Sequence, residues 1–553
     1  MTSSAPGPST INLASAWEVI ADHRGDALAL HCGGVSRTWT EFEQRAARLA
    51  GALSAVGIGA GDNVACALFN GNEYMEAEFA AFKVRAAPCN VNYRYVEAEL
   101  EYLIDNSDAT AVFFDASLAE RFDHVRPGLT DVRLWIQVGG DELPDWAVDY
   151  EALIADSPPA PRIERSGDDL WILYTGGTTG HPKGVMWPHG NLVAITQRSF
   201  DMVGVPVPAS LAELPGALDA IDATGLTPRQ LAASPLMHGT AGIGALSALF
   251  LGGAVVTTPS RRLDADELWR TVEQQRCTNA SIVGDVFCVP MVEALDRRAA
   301  AGDPVDLTSM RLVTSSGVMW SQPVKDRLLA HARAVGSALR CFDSLGSSEG
   351  VGFAGKESSS GGSDTTTATF VLGPNAAVFT PDDRRVEPGS DEQGQLAVGG
   401  PIPLGYYSDP VKSAETFREI EGRRWSIPGD WATVAADGTI TLLGRGSVSI
   451  NTGGEKVFPE EIEEQLKLLD AVADVNVVGV PDPKWGSAVT AIVELVAGVE
   501  VSDEELVDAL RTRLSGYKLP KHIVRVDTLF RSPNGKSDYK WAVKTAKEAL
   551  HID

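Results

Sequence analysis

Tyr174-Thr175-Gly176-Gly177-Thr178-Thr179-Gly180-His181-Pro182-Lys183-Gly184 is the stretch from which the rest of the chain can be read. Four glycines, three threonines and one lysine make a loop rich in backbone N–H donors and hydroxyls that ends in a cation, the combination that cradles a polyphosphate. The apolar run Leu170-Trp171-Ile172-Leu173-Tyr174 before it reads as a buried strand, and a helical pattern begins near His189-Gly190-Asn191. A Gly/Thr surface turn is the competing reading, but such turns seldom carry this density of phosphate-binding groups. The common phosphate loop is excluded, because it needs Gly-Lys-Ser/Thr opening a helix and Lys183 stands between Pro182 and Gly184.

Further short motifs follow in order: Pro235-Leu236-Met237-His238, Ser315-Ser316-Gly317, Gly346-Ser347-Ser348-Glu349, Pro428-Gly429-Asp430, Gly444-Arg445, the run from Asn451-Thr452-Gly453-Gly454-Glu455-Lys456 to Glu463, and Pro533-Asn534-Gly535-Lys536. In sequence and spacing they resemble the adenylate-forming superfamily of acyl-CoA synthetases, peptide-synthetase adenylation domains and luciferases. The resemblance spans nearly the whole chain. In the family's loop, Tyr-Thr-Ser-Gly-Thr-Thr-Gly-x-Pro-Lys-Gly, only Gly176 departs, replacing serine.

The resemblance implies an ATP-dependent acid:CoA ligase that forms acyl-AMP and pyrophosphate, then acyl-CoA and AMP. On that reading Thr175, Gly176, Gly177, Thr178, Thr179, Gly180 and Lys183 hold the ATP phosphates. Ser316, Gly317, Ser344, Leu345, Gly346, Ser347 and Ser348 form the nucleotide side. Asp430 accepts from the ribose hydroxyls and Arg445 meets ribose or phosphate. Glu349, with Thr178, suits Mg²⁺ shared with phosphate oxygens. Lys536 bridges carboxylate and ribose oxygens during adenylation, and His238 and Glu349 complete the catalytic set.

For the thioester step the resemblance points to Gly453, Gly454, Glu455, Lys456 and Trp485 as the coenzyme A side, the glycines leaving room for pantetheine. The small domain then rotates about Ser447 between half-reactions. Met237, His238, Gly239, Gly242, Val283, Gly284 and Gly317 fall at acyl-pocket positions. Met237–Gly242, Ile282–Asp285 and Ser315–Gly317 contain no Phe, Tyr or Trp, so a bulky or branched acid is expected: a steroid side-chain, branched fatty or aryl-alkanoic acid. A medium- or long-chain fatty acid is the alternative substrate.

Composition agrees with an enzyme of small molecules. The 553 residues exceed one core and call for at least two domains. A net charge of −27 argues against nucleic acid or an anionic membrane surface as a general partner. Six scattered cysteines without metal spacing fit a reduced cytoplasm, and residues 1–10 show no signal-peptide pattern. Leu236–Val256 is apolar enough to suggest a membrane span, but its glycines favour a buried helix near Ala241–Leu251, a Gly-Gly turn and a strand at Ala254–Thr258. Oligomeric state is not legible, and a homo-oligomer stays open.

Helices at Thr40–Ala55, Tyr74–Val84 and Val96–Asn106 alternate with strands at Asn63–Leu68 and Ala109–Phe114, which predicts an α/β fold with mainly parallel sheet. Gly204–Leu231 reads as an insertion over the pocket side and Lys356–Ser363 as a solvated loop. A change in composition at Arg445-Gly446-Ser447 divides a large N-terminal domain, 1–445, from a small α+β C-terminal domain, 446–553.

Two other classes compete. Gly346-Ser347-Ser348-Glu349-Gly350 matches the nucleophile elbow of a serine hydrolase, with Ser348 as nucleophile and His522 as base, but an elbow needs a helix after it. A non-catalytic nucleotide-binding protein conflicts with Glu349 and Lys536 both being present. Binding details also depart from the family pattern: Leu345 stands at the adenine-stacking position, Ser348 replaces threonine, Ser447 an acidic or basic hinge residue, and Met237 an aromatic.

Overall fold

A computed structural model describes residues 9–175, 182–317, 320–359, 369–390, 392–445, 448, 450–452, 455–482, 486–511, 514, 516, 518–531 and 537–552, with backbone alone at 369, 445, 451, 455, 456 and 486. The chain divides into two compact units. The first comprises Met1–Gly352, Glu357–Ser363 and Gly399–Ser426; the second comprises Phe353–Lys356, Asp364–Val398 and Ile427–Asp553.

Up to residue 347 of the first unit the described strands follow in chain order: β1 (Leu28–Cys32), β2 (Val35–Thr38), β3 (Asn63–Ala67), β4 (Ala87–Asn90), β5 (Ala109–Asp115), β6 (Leu134–Val138), β7 (Val148–Asp149), β8 (Leu170–Thr175), β9 (Lys183–Pro188), β10 (Arg229–Ala232), β11 (Ala254–Thr257), β12 (Asn279–Ile282), β13 (Leu312–Ser315) and β14 (Arg340–Ser347). One sheet runs β7-β6-β5-β3-β4-β8-β9 and a second runs β14-β13-β12-β10-β11-β1-β2. Only the β8–β9 and β1–β2 pairs within these runs are antiparallel. The sequence expectation of βαβ units is therefore met, with observed helices Trp39–Ala55, Asn72–Lys83 and Glu97–Asn106 between the strands.

The second sheet has two unlike faces, because side chains alternate along each strand. Leu231, Ala280, Ile282, Val313 and Cys341 point to the apolar core covered by the helices Ala265–Gln275, Gly284–Ala300 and Gln322–Ala334. Ala232, Ser281, Thr314 and Phe342 occupy the other face, in register from strand to strand, with Gln230 two residues before Ala232 on the same face. The helix Gly239–Phe250 lies there: a Cβ on Gly244 would come within 2.9 Å of Ser281 Oγ.

The helix expected near His189 is present as His189–Ile195, but β9, which the sequence reading did not foresee, intervenes, so the loop joins two antiparallel strands of one sheet. Lys356–Ser359 is not solvated loop but the end of a strand, Gly350–Ser359, in which Lys356 and Ser358 are buried; residues 360–363 lie outside the described ones. Gly204–Leu231 is partly core, since the helix Leu214–Thr224 buries Leu214, Leu218 and Ile221 and Arg229–Leu231 enters β10. The apolar stretch after Leu236 is, as expected, a helix, a turn and a strand, and no helix among the described residues is long and apolar enough to cross a membrane.

In the second unit Asp430–Val434 and Thr439–Arg445 form an antiparallel pair. A C-terminal sheet pairs Val472–Asp482 with Gly486–Leu495, and the latter with His522–Val526 in parallel. Ile450, Val457, Ile462, Val475, Val489 and Leu506 meet in its core.

Candidate functional site

Within the first unit the carboxyl ends of parallel neighbours bring the scattered motifs to one edge, where ligands of open α/β sheets bind. The His238 segment leaves β10, Val283 and Gly284 follow β12, Ser315–Gly317 end β13, and Ser344–Glu349 end β14. Hydrogen bonds tie these ends together. Ser234 N donates to Ser281 O at 3.0 Å and Gly284 N to Ser315 Oγ at 2.8 Å. Asn70, beyond β3 of the other sheet, donates to Ala232 O and Ser234 O, both at 3.0 Å, and accepts from Leu236 N at 2.7 Å.

The two stems of the phosphate-type loop pair with each other. Thr175 opposes Lys183 and Tyr174 opposes Gly184. Gly184 turns its carbonyl away from β8, accepting from Tyr407 N at 2.7 Å, so the Tyr174 peptide groups face β4 instead. There the buried Asn90 side chain continues the ladder: Tyr174 N donates to Asn90 Oδ1 at 2.6 Å and Asn90 Nδ2 donates to Tyr174 O at 2.9 Å. Gly184 must lack a side chain, because a Cβ would lie 2.7 Å from both Ile172 Cγ2 and Tyr174 Cε2. Gly176, Gly177, Thr178, Thr179 and Gly180 lie outside the described residues.

Lys183 and Glu349 are joined by residues that sequence reading missed. Lys183 Nζ donates to Asp409 Oδ2 at 3.0 Å and stands 5.3 Å above the Tyr406 ring. Tyr406 Oη donates to Glu349 Oε1 at 2.8 Å. Trp187 Nε1 donates to Ser348 O at 2.9 Å, holding the turn that carries Glu349 against β9. Asp409 also caps the helix Pro410–Thr416, and the Lys412 N–H, followed by Lys183, holds its carboxyl below the usual range. No local motif announces Tyr406 or Asp409, which reach Lys183 across more than two hundred residues; Gly405-Tyr406-Tyr407 runs antiparallel to β9 only in the fold.

After Glu349 the chain continues as a strand rather than a helix, so Ser348 is not on a nucleophile elbow. His238 is half-buried at the N-cap of the glycine-rich helix, and Met237 and Val283 are buried. Gly239 and Gly242 do not simply leave space. A Cβ at Gly239 would sit 3.2 Å from Leu173 Cδ2, and one at Gly242 would meet Leu236 O at 2.9 Å and the Trp171 ring at 3.3 Å. These glycines let the helix press against β8. Gly284 and Gly317 adopt left-handed φ of 51° and 95°. Ser316, Ser344, Leu345, Gly346 and Ser347 are half-buried along the same edge.

In the second unit Asp430 is half-buried and opposes Arg445 across the strand pair. Glu455 and Lys456 lie on a short strand paired with Ile450–Thr452. The side chains of Arg445, Glu455 and Lys456, and residues Ser447, Gly453, Gly454, Trp485 and Lys536 altogether, lie outside the described residues. The stretch containing Lys536 is flanked by a paired base. Arg531 donates to both oxygens of Asp474 at 2.5 Å and to Ser537 Oγ at 3.2 Å.

The profile of the family described as AMP-binding enzyme matches residues 17–407, and that of the AMP-binding enzyme C-terminal domain matches 461–536. A 3-oxocholest-4-en-26-oate–CoA ligase of Rhodococcus rhodochrous is 40% identical over 543 residues, covering 96% of this chain and 95% of that enzyme. A medium/long-chain-fatty-acid–CoA/3-oxocholest-4-en-26-oate–CoA ligase of Mycobacterium marinum is 38% identical over 98% of both chains. Among solved structures, an anthranilate CoA ligase bound to anthranoyl-AMP superposes with a TM-score of 0.82 over 99% of both chains at 19% identity, a likeness of fold.

Proposed function

From the premise that the chain belongs to the AMP-binding enzyme family, as an AMP-forming acyl-CoA synthetase, we propose that it activates a bulky carboxylic acid, with a steroid side-chain acid as the favoured class. The observation that carries this is 40% identity, over nearly the full length of both chains, to a ligase named for such an acid. A medium- or long-chain fatty acid is the second reading, supported by relatives named for both.

In the first half-reaction ATP and the acid are held together so that a carboxylate oxygen attacks the α-phosphorus and pyrophosphate departs. Lys183 and Thr175, with the loop between them, bind the β- and γ-phosphates; Lys183 exchanges its Asp409 partner for phosphate. Glu349 suits Mg²⁺: Tyr406 occupies Oε1, and Oε2 has no protein partner among the described residues, leaving a hard anionic ligand. When bound, Mg²⁺ neutralises phosphate charge as pyrophosphate leaves. Asp430 and Arg445 hold the ribose, and Lys536 neutralises the attacking carboxylate. In the second half-reaction the small domain turns about Ser447 and presents Gly453, Gly454, Glu455, Lys456 and Trp485 to coenzyme A, whose thiolate displaces AMP. ATP and coenzyme A as co-substrates accord with a cytoplasmic enzyme.

Pyrophosphate release measured across acid classes tests the substrate. Steroid side-chain acids are expected to surpass acetate and propionate by orders of magnitude in kcat/KM. Efficient turnover of acetate with none of bulky acids refutes the substrate class while leaving the ligase reaction in place.

A further inference from the structure

The glycine-rich helix Gly239–Phe250 is buried along most of its surface, yet Thr240, Ile243, Gly244 and Ser247 form one partly open stripe at helical spacing. Gly244 faces Ser281, and the next residues across the sheet on the same face are Thr314, also partly open, and Phe342. The helix Gln197–Val203 packs Phe200 against Phe250 with ring centroids 5.8 Å apart and carries Arg198 over Phe342. A half-open wall thus continues from the His238 end of the helix and ends at a cation.

Arg198 is unusual in its surroundings. Its guanidinium carbon lies 3.3 Å from the Phe342 ring centroid, and it has no hydrogen-bond or ion-pair partner among the described residues. Arg424, in comparably close surroundings, donates to Pro403 O at 2.7 Å and Leu404 O at 2.5 Å. The nearby Arg340 and Glu357 pair with each other at 3.4 Å. Solvent reaches Arg198, yet burial holds its pKa below the usual arginine value, and Arg340 adds repulsion that Glu357 opposes. An exposed guanidinium stacked on Phe342 thus stands at the end of the half-open wall.

We propose that Arg198 reads the substrate, its guanidinium donating hydrogen bonds to a carbonyl or carboxylate oxygen of the acid remote from the carboxylate that is adenylated. Stacking on Phe342 fixes the plane of the donors, so the fork is organised before the acid arrives. The inference rests on the acyl-CoA synthetase reading and deepens it: the acid is bulky and also bears a second acceptor.

Two matched pairs of acids distinguish the sources of that oxygen: a side-chain acid with a ring ketone against its deoxo counterpart, and a dicarboxylate against the monocarboxylate of equal length. Steady-state pyrophosphate release gives kcat/KM for each with wild type, Arg198→Met, which keeps an apolar stem over Phe342, and Arg198→Lys. The wild type is expected to favour the oxygenated member of one pair about ten- to hundredfold, the range for a hydrogen bond to a charged group. That ratio should fall to near one in Arg198→Met and recover in part in Arg198→Lys. A wild-type ratio near one in both pairs overturns the inference while turnover of the oxygen-free acids sustains the ligase reading. Equal losses on both members in Arg198→Met, or a change confined to the ATP KM, also overturn it. Failure of the wild type to release pyrophosphate with any acid sinks both readings.

Discussion

Replacing Asn90 by alanine should damage nucleotide binding from beneath the loop. The Asn90 side chain satisfies both Tyr174 peptide groups, at 2.6 and 2.9 Å, one residue before the loop stem at Thr175. β9 does not replace it, since Gly184, the residue opposite Tyr174, turns its carbonyl to Tyr407 instead. Asn90→Ala therefore leaves a buried N–H and a buried C=O unpaired, each costing about 1–3 kcal/mol, hence about 2–6 kcal/mol before relaxation. If only about 1.4 kcal/mol of that reaches the loop, the ATP requirement rises tenfold. The assay is pyrophosphate release at varied ATP with saturating acid, alongside a thermal melt. Asn90→Asp should be at least as harmful, because it keeps the acceptor for Tyr174 N–H but turns a second acceptor toward Tyr174 O. An ATP KM within about threefold of wild type together with an unchanged melt would refute the reasoning.

Tyr406→Phe removes the donor to Glu349 Oε1 and should raise the Mg²⁺-ATP requirement about tenfold or more, read by metal titration of pyrophosphate release. Lys536→Ala should abolish acyl-AMP formation while thioester formation from supplied acyl-AMP persists; equal loss in both half-reactions would contradict the proposed division. Gly242→Ala should cost about 1–3 kcal/mol by overpacking against Leu236 O and Trp171, lowering the melt without changing acid preference. Burial pushes the Glu78 carboxyl up to about 8 from 4.5, only partly offset by Trp171 Nε1 at 3.0 Å. Its folded pKa exceeds its unfolded one, so stability is lost as pH climbs from about 4.5 to about 8, and Glu78→Gln should flatten that decline in melts across pH.

The parallel strands and the helices between them were legible because their periodicities are local: Ala109–Asp115 and Trp39–Ala55 carry their signals in their own residues. β9 was hidden because Lys183-Gly184-Val185-Met186-Trp187-Pro188 ends in proline and follows a loop that suggests a helix start. Lys356–Ser359 reads as solvent-seeking in sequence, and only the fold around it buries Lys356 and Ser358. At the site, Lys183, Glu349 and His238 stand in short motifs, whereas Asn70, Asn90, Tyr406 and Asp409 act through pairings that no window of sequence contains.

The glycine-rich helix also limits how such an enzyme can diversify. Three of its positions, Gly239, Gly242 and Gly244, are committed to close contact with Leu173, Trp171 and Ser281, and so resist change whatever the acid. Ile243 and Ser247, on the open stripe, carry no such constraint. A lineage drifting toward a new acid would accumulate replacements at these two positions and at Arg198 while the glycines stayed fixed, so a saturation library at Ile243 and Ser247 offers more viable specificities than one of equal size at the glycines.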